Sequence, residues 1–164
     1  MPLYFAYGAN MDVEDMARRC PRSRPLGVAR LMRHSLAIMR EGWLTATLDA
    51  RGCAHGVLWD LVLADVSALD RFEQLGGGLY VKTTQAVIAG SGPKRALVYF
   101  GANAGPGSAD GDYIRAVIAS ARHWRLPDEA IAALEGFAGT GAGGGSDAAA
   151  APRARPRFAT PFDR

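Results

Sequence analysis

The order of the apolar segments constrains this chain most, because the first hundred residues are rich in strand patterns with short helices between them, and only helical patterns follow. Residues 79–89 and 94–100 flank a Gly/Pro turn, which is typical of a hairpin. We expect a long strand over 26–40 with a bulge at Gly27. The remaining strand patterns cover residues 3–6, 43–48 and 53–62. This order predicts an α+β fold with a mixed, barrel-like β-sheet of about five to seven strands.

Short helices are expected to pack around this sheet. Acidic residues begin and arginines end the pattern over 12–19, which matches the helix dipole. We expect Asp65 to cap a second helix, which the glycines at 76–78 end. Apolar residues at helical spacing predict a third helix over 113–124 and a fourth from 126 to 137.

The composition changes after residue 138. Between residues 139 and 156, 11 of 18 residues are Gly or Ala, which is too little apolar side chain to form a core. We therefore expect one domain over 1–138 and a flexible Gly/Ala/Pro/Arg-rich tail over 139–164. The tail contains a G-x-G-x-x-G pattern, but a dinucleotide site needs a strand before it and a helix after it. No cofactor is expected.

The basic character of the chain comes mostly from this tail. Of the net charge of +3, the four arginines and two aspartates of residues 139–164 supply +2. We therefore expect no nucleic-acid partner for the body. The sequence also has no apolar run of membrane-spanning length, no secretory leader and no disulfide framework, so a cytoplasmic location is expected.

Familiar catalytic motifs are missing from the sequence. His34, His55 and His123 are scattered, without carboxylates or cysteines at ligand spacing, so no metal is expected. The G-x-S-x-G elbow of serine hydrolases and the phosphate-binding P-loop are both absent. These classes of enzyme are therefore excluded.

Two other segments could carry chemistry. The segment L-Y-F-A-Y-G-A-N-M at residues 3–11 indicates a strand, a glycine turn at Gly8 and a helix that starts near Asp12. Unpaired N–H groups at a helix start favour an anion. Glu73 ends a predicted helix, where the dipole and any burial would raise the carboxyl pKa toward the range for acid/base catalysis. Spacing alone favours a solvated glutamate at this place.

These two segments together resemble the γ-glutamylcyclotransferase-like family, which includes AIG2-like and γ-glutamylamine cyclotransferase relatives. Residues 4–11 are similar to the family's Y-F-A-Y-G-S-N-[LM] loop. The pattern L-D-x-x-E at 69–73, with G-x-Y at 78–80, is similar to the motif that carries the family's catalytic glutamate. The resemblance covers about residues 3–137, since G-V-L-W at 56–59 and the segment over 113–127 also fit.

The resemblance implies the family's fold and an intramolecular aminolysis without a cofactor. The α-amine of an L-γ-glutamyl group attacks its own γ-amide carbonyl, which forms 5-oxoproline and releases the attached amine or amino acid. Glu73 would be catalytic, and the strand near Tyr99 would border the leaving-group side. The residues implied to bind the small-molecule substrate are Tyr4, Phe5, Ala6, Tyr7, Gly8, Ala9, Asn10 and Tyr80. A monomer or a homodimer is expected.

Three residues depart from the family pattern, and three alternative functions stay open. Ala9 stands where the family usually has serine, Gln74 stands where glycine is common, and Asn10 differs from the loop of glutathione-specific relatives. The sequence leaves the leaving group open. The first alternative is a cyclotransferase that deprotects a specific γ-glutamyl amine. The second is a non-catalytic binding module of the same fold. The third is a nucleic-acid or partner-binding role of the tail.

Overall fold

A closed five-stranded barrel with helices packed around it forms the body of the chain in the computed structural model, which describes residues 1–139. The strands are β1 Leu3–Ala6, β2 Arg24–Ile38, β3 Leu44–Asp60, β4 Tyr80–Ala89 and β5 Gly92–Gly101. The α-helices are α1 Val13–Arg19, α2 Leu63–Phe72, α3 Gly111–His123 and α4 Asp128–Gly139. The predicted α+β class and the mixed, barrel-like sheet are confirmed.

The strands follow the order β1-β3-β2-β4-β5 around the barrel. β1 pairs antiparallel with β3 over four residues and parallel with β5 at Tyr4 and Leu97, so the sheet is mixed. β4 and β5 form the predicted hairpin over their whole lengths. The tail predicted for residues 139–164 lies outside the described residues, apart from Gly139, where α4 ends.

The two strands predicted over 43–48 and 53–62 are one continuous strand, so that prediction was wrong. The polar residues between them stay in β3, and the register against β2 shifts between Met32 and His34 instead. Arg33 takes a left-handed backbone there, with φ at 60°. Gly52 allows the close approach, because a Cβ would lie 2.5 Å from the carbonyl oxygen of His34. The bulge predicted at Gly27 is confirmed by a second register shift.

The start of α2 also differs from the prediction. The helix begins at Leu63 after Val62, two residues before Asp65, so Asp65 is not its cap. The Asp65 carboxylate is 95% buried and accepts hydrogen bonds from the Ser23 hydroxyl at 2.8 Å and the Arg22 backbone N–H at 3.3 Å. A buried carboxylate needs such partners, and here they attach α2 to the chain that follows α1.

The core fills the barrel and the space beneath the helices. Phe5, Val57 and Trp59 are buried where β1 and β3 pair, and Leu69 of α2 packs into the same cluster. The apolar stripe predicted for α3 is buried, including Ile114. None of the helices among residues 1–139 is both long and apolar enough to span a membrane.

Candidate active site

A cleft opens at the end of β1, where the N-terminal loop meets the end of α2. Its walls come from β1, the loop after it, β3, β4, β5, α3 and the end of α2. The lining residues are Tyr4, Phe5, Tyr7, Gly8, Ala9, Asn10, Leu44, Glu73, Tyr80, Tyr99 and Tyr113. The barrel therefore brings Glu73 against a loop that lies 63 residues earlier in the sequence.

Nearly all residues expected from the sequence share this cleft. Ala6 differs, because it lies in β1 opposite Val57 and does not line the cleft. Leu44 and Tyr113 were not foreseen as lining residues. Their position depends on a contact between β3 and α3, in which the Leu44 N–H donates to the Tyr113 hydroxyl at 3.1 Å. Nothing in the sequence around either residue indicates this contact.

The loop after β1 is stabilised by a short helical turn. Gly8 precedes a 3₁₀ turn over Ala9–Met11, and the N–H groups of Met11 and Asp12 bond back to Gly8 and Ala9. Asp12 then caps α1 by accepting from the Asp15 N–H at 2.8 Å, so the helix starts next to Asp12, where the sequence predicts it. Any backbone contact with an anion must therefore come from N–H groups before Met11.

Gly8 has little room for a side chain. A Cβ at this position would lie 3.1 Å from the Tyr113 hydroxyl oxygen, which also accepts from Leu44. The glycine therefore leaves the backbone accessible from the cleft.

Glu73 is held at the end of α2, as predicted. Its backbone N–H bonds to the Leu69 carbonyl at 2.8 Å, and the residue is only 6% exposed. Gln74 follows with a left-handed backbone, φ 51°, which turns the chain away directly after Glu73. This conformation is the reason why glycine suits the position of Gln74.

The Asn10 carboxamide connects the loop to Glu73. Its Nδ2 donates to Glu73 Oε1 and to the Tyr4 hydroxyl oxygen, both at 2.9 Å. Its Oδ1 accepts from the Arg19 guanidinium. The Arg19 Cζ in turn lies 3.6 Å from the centroid of the Phe72 ring.

Three tyrosines of the cleft donate to fixed acceptors. Tyr7 donates to the Tyr99 carbonyl at 2.5 Å, and Tyr80 donates to the Leu44 carbonyl at 2.7 Å. Tyr99 donates to Asp70 at 2.6 Å, and Lys82 Nζ lies 2.8 Å from each oxygen of that carboxylate.

The hydroxyls of Tyr4, Tyr7 and Tyr99 stay protonated at neutral pH. Burial, and then the charge of Glu73, raises the pKa of Tyr4 and Tyr7 above the usual value. Burial and the hydrogen bond to Asp70 raise the pKa of Tyr99. Across residues 1–139, no group of three or more His, Cys, Asp or Glu side chains is arranged to hold a metal ion.

A comparison with protein families decides the family. Residues 4–126 match the family described as gamma-glutamyl cyclotransferase, AIG2-like. The chain belongs to this family. The matched range contains both the loop at Gly8 and Glu73, so the resemblance inferred from the two sequence motifs is confirmed. A search of the curated proteins finds no match.

Solved structures of this family share the fold. A structure titled gamma-glutamyl cyclotransferase is 24% identical, with a TM-score of 0.76 over 82% of this chain and 86% of that one. A human protein titled uncharacterized is 25% identical, with a TM-score of 0.75 over 81% and 85%. A mouse AIG2-like protein is 19% identical, with a TM-score of 0.52 over 65% and 80%. The γ-glutamyl cyclotransferase fold of the barrel is thereby confirmed.

Proposed function

We propose that this chain is an enzyme that cyclises an L-γ-glutamyl group to 5-oxoproline and releases the attached amine or amino acid. The observation that carries the proposal is the buried carboxylate of Glu73, which shares one cleft with the loop at Gly8 and bonds to Asn10 of that loop. Membership in the cyclotransferase family supports the same reaction.

The loop after β1 binds the glutamyl end of the substrate in this proposal. Backbone groups of Tyr7, Gly8 and Ala9 contact the α-carboxylate, and the missing side chain of Gly8 permits close approach. Tyr4, Phe5, Asn10 and Tyr80 form the walls around the chain of the glutamyl group. Binding folds this chain so that its α-nitrogen faces its own γ-carbonyl carbon.

Glu73 moves the protons. It takes one proton from the α-ammonium group, which has no lone pair while it is charged. The α-nitrogen then forms a bond to the γ-carbon, the γ-amide C–N bond breaks, and Glu73 passes its proton to the departing nitrogen. The α-nitrogen loses its second surplus proton as the lactam N–H forms, and that proton also ends on the released amine, which leaves as an ammonium ion. Because the nucleophile belongs to the same molecule, the cleft has only to hold the glutamyl chain in the conformation that brings the α-nitrogen to the γ-carbon. The atoms balance without a cofactor.

A panel of γ-glutamyl compounds tests this function. Wild-type protein is incubated with γ-glutamyl alkylamines, γ-glutamyl amino acids and glutathione, and 5-oxoproline is quantified by mass spectrometry. We expect release from at least one γ-glutamyl amine or amino acid and the least from glutathione, because Asn10 departs from the glutathione-specific loop. Binding of these compounds without any release would instead support the non-catalytic binding module.

Replacement of Ala9 by serine tests how the loop binds. Ala9 lines the cleft at the start of the 3₁₀ turn, and serine is the usual residue of the family there. If the substrate contacts backbone groups, Ala9→Ser changes kcat/KM by less than about threefold, equivalent to under 1 kcal/mol. A much larger gain in kcat/KM would mean that the wild-type loop lacks a hydroxyl contact that binding needs.

A further inference from the structure

Every polar atom of the Asn10 side chain has a partner in the cleft. The residue is 1% exposed, and its two N–H groups point to Glu73 Oε1 and to the Tyr4 hydroxyl oxygen. Its carbonyl oxygen accepts from Arg19. The carboxamide therefore lies between two charged groups: its oxygen faces the Arg19 guanidinium, and its nitrogen faces the Glu73 carboxylate.

The orientation of this carboxamide is decided by Arg19. A carboxamide rotated by 180° would place its N–H groups against the guanidinium, which only donates hydrogen bonds. The same rotation would place its carbonyl oxygen against the carboxylate of Glu73. Both contacts would then be repulsive, and both would be buried, where unmatched polar groups cost the most.

Arg19 is itself fixed in place. It is the last residue of α1, its side chain is 12% exposed, and its guanidinium lies over the ring of Phe72 at 3.6 Å. Contact with an aromatic face stabilises a partly desolvated cation. Phe72 directly precedes Glu73 in the chain. The Arg19 side chain therefore contacts both the Asn10 carboxamide and the residue before Glu73.

We propose that Arg19 is a positioning residue for the cyclotransfer reaction: it orients the Asn10 carboxamide so that an N–H group, and not the carbonyl oxygen, faces Glu73. This inference rests on the function proposed above. Arg19 does not have to touch the substrate for this role, because it acts through Asn10. It keeps Glu73 in the state in which it can accept a proton.

The expected consequence for Glu73 has a definite sign. A hydrogen bond donated to a carboxylate favours its charged form, and a carbonyl oxygen in the same place disfavours it. Loss of Arg19 therefore raises the Glu73 pKa. Titratable groups that face Glu73 include Tyr4 and Tyr7 from β1 and the loop and Tyr99 from β5. Tyr80 from β4 and Tyr113 from α3 line the same cleft. These tyrosines stay neutral over the range in which a carboxyl group titrates.

A titration that does not depend on activity tests the orientation. The chain has five glutamates, so the ¹³Cδ signal of Glu73 can be assigned with Glu73→Gln and followed against pH by NMR. We expect Arg19→Met to raise the Glu73 midpoint by about one unit, and Arg19→Lys, which keeps a charged donor, to restore part of it. Arg115→Met is the matched control, because Arg115 is 70% exposed and pairs with Asp112 of its own helix. No change is expected there.

A double-mutant cycle tests whether Arg19 acts through Asn10. In an Asn10→Leu background the carboxamide is gone, so Arg19→Met should shift the Glu73 midpoint much less than in wild type. A shift of the same size in both backgrounds would show a direct charge effect and overturn the inference.

The kinetics separate this inference from the proposed function. With a γ-glutamyl amide, Arg19→Met should lower kcat at neutral pH, move the acidic limb of kcat/KM upward with the NMR midpoint, and leave KM within about threefold. An unchanged Glu73 midpoint in folded Arg19→Met overturns the inference, whatever the turnover. If the Glu73 midpoint shifts in Arg19→Met but wild-type protein turns over no amide, the proposed function is overturned. The inference that Arg19 sets the Asn10 orientation would still hold.

Discussion

Replacement of Glu73 by glutamine is expected to lower the turnover of γ-glutamyl amides about a thousandfold while the barrel stays folded. Glutamine has the same shape, and its carbonyl oxygen can still accept from Asn10 Nδ2. It cannot take a proton from the α-ammonium group, and general-base catalysis contributes about 10²–10⁴ in rate. The measurement is kcat for 5-oxoproline release, with circular dichroism and thermal unfolding to verify the fold.

Glu14→Gln is the matched control for this experiment. Its side chain is 87% exposed in the first turn of α1, far from any catalytic role, so the same chemical change should leave kcat unaltered. If Glu73→Gln and Glu14→Gln both keep wild-type turnover, Glu73 is not the general base. The proton acceptor would then have to be sought elsewhere in the cleft.

Replacement of Gly56 by alanine is expected to destabilise the barrel by about 3 kcal/mol. A Cβ at this position would overlap the carbonyl oxygen of Ala6 and lie 2.9 Å from Phe5 Cζ. Both are parts of β1, the short strand that leads into the loop. Backbone cannot rotate aside as a flexible side chain does, so overpacking here reaches the upper part of its usual range. Urea unfolding of the purified variant measures the loss.

Gly90→Ala is the control for the same substitution elsewhere. Residue 90 lies between β4 and β5, and a Cβ there would meet no atom within 4 Å. Its free energy of unfolding should stay within about 0.5 kcal/mol of the wild-type value. Equal free energies of unfolding for the two variants would contradict this prediction. They would mean that β1 can move away from β3 at Gly56 without a loss of stability.

The fold could be predicted wherever a local pattern decides the structure. The hairpin of β4 and β5 is bounded by turn residues, and the end of α2 is followed by glycines at 76–78. The continuity of β3 could not be predicted in this way. Residues 49–52 include two charged residues and a glycine, which locally indicates a turn, yet pairing with β2 keeps them in the strand. Tertiary pairing overrides a local preference here.

The site was predictable only in part for a similar reason. The loop residues and Glu73 stand in two short motifs, and each motif can be seen in the sequence alone. Tyr113 and Leu44 are 69 residues apart and meet only when α3 packs near β3. Arg19 was expected only to complement the dipole of α1. Its contact with Asn10 depends on how α1 packs back on the loop, and no spacing rule encodes that.

The hydroxyl groups of the cleft limit which ligand atoms can bind there. A phenol has one proton, and Tyr7, Tyr80 and Tyr99 each direct theirs to a carbonyl or carboxylate oxygen of the protein. These three protons are therefore not available to a ligand. A ligand group that approaches one of these oxygens has to supply the hydrogen itself, as an ammonium or amide N–H does. In the proposed reaction, these three hydroxyls therefore suit the N–H groups of the substrate better than its α-carboxylate.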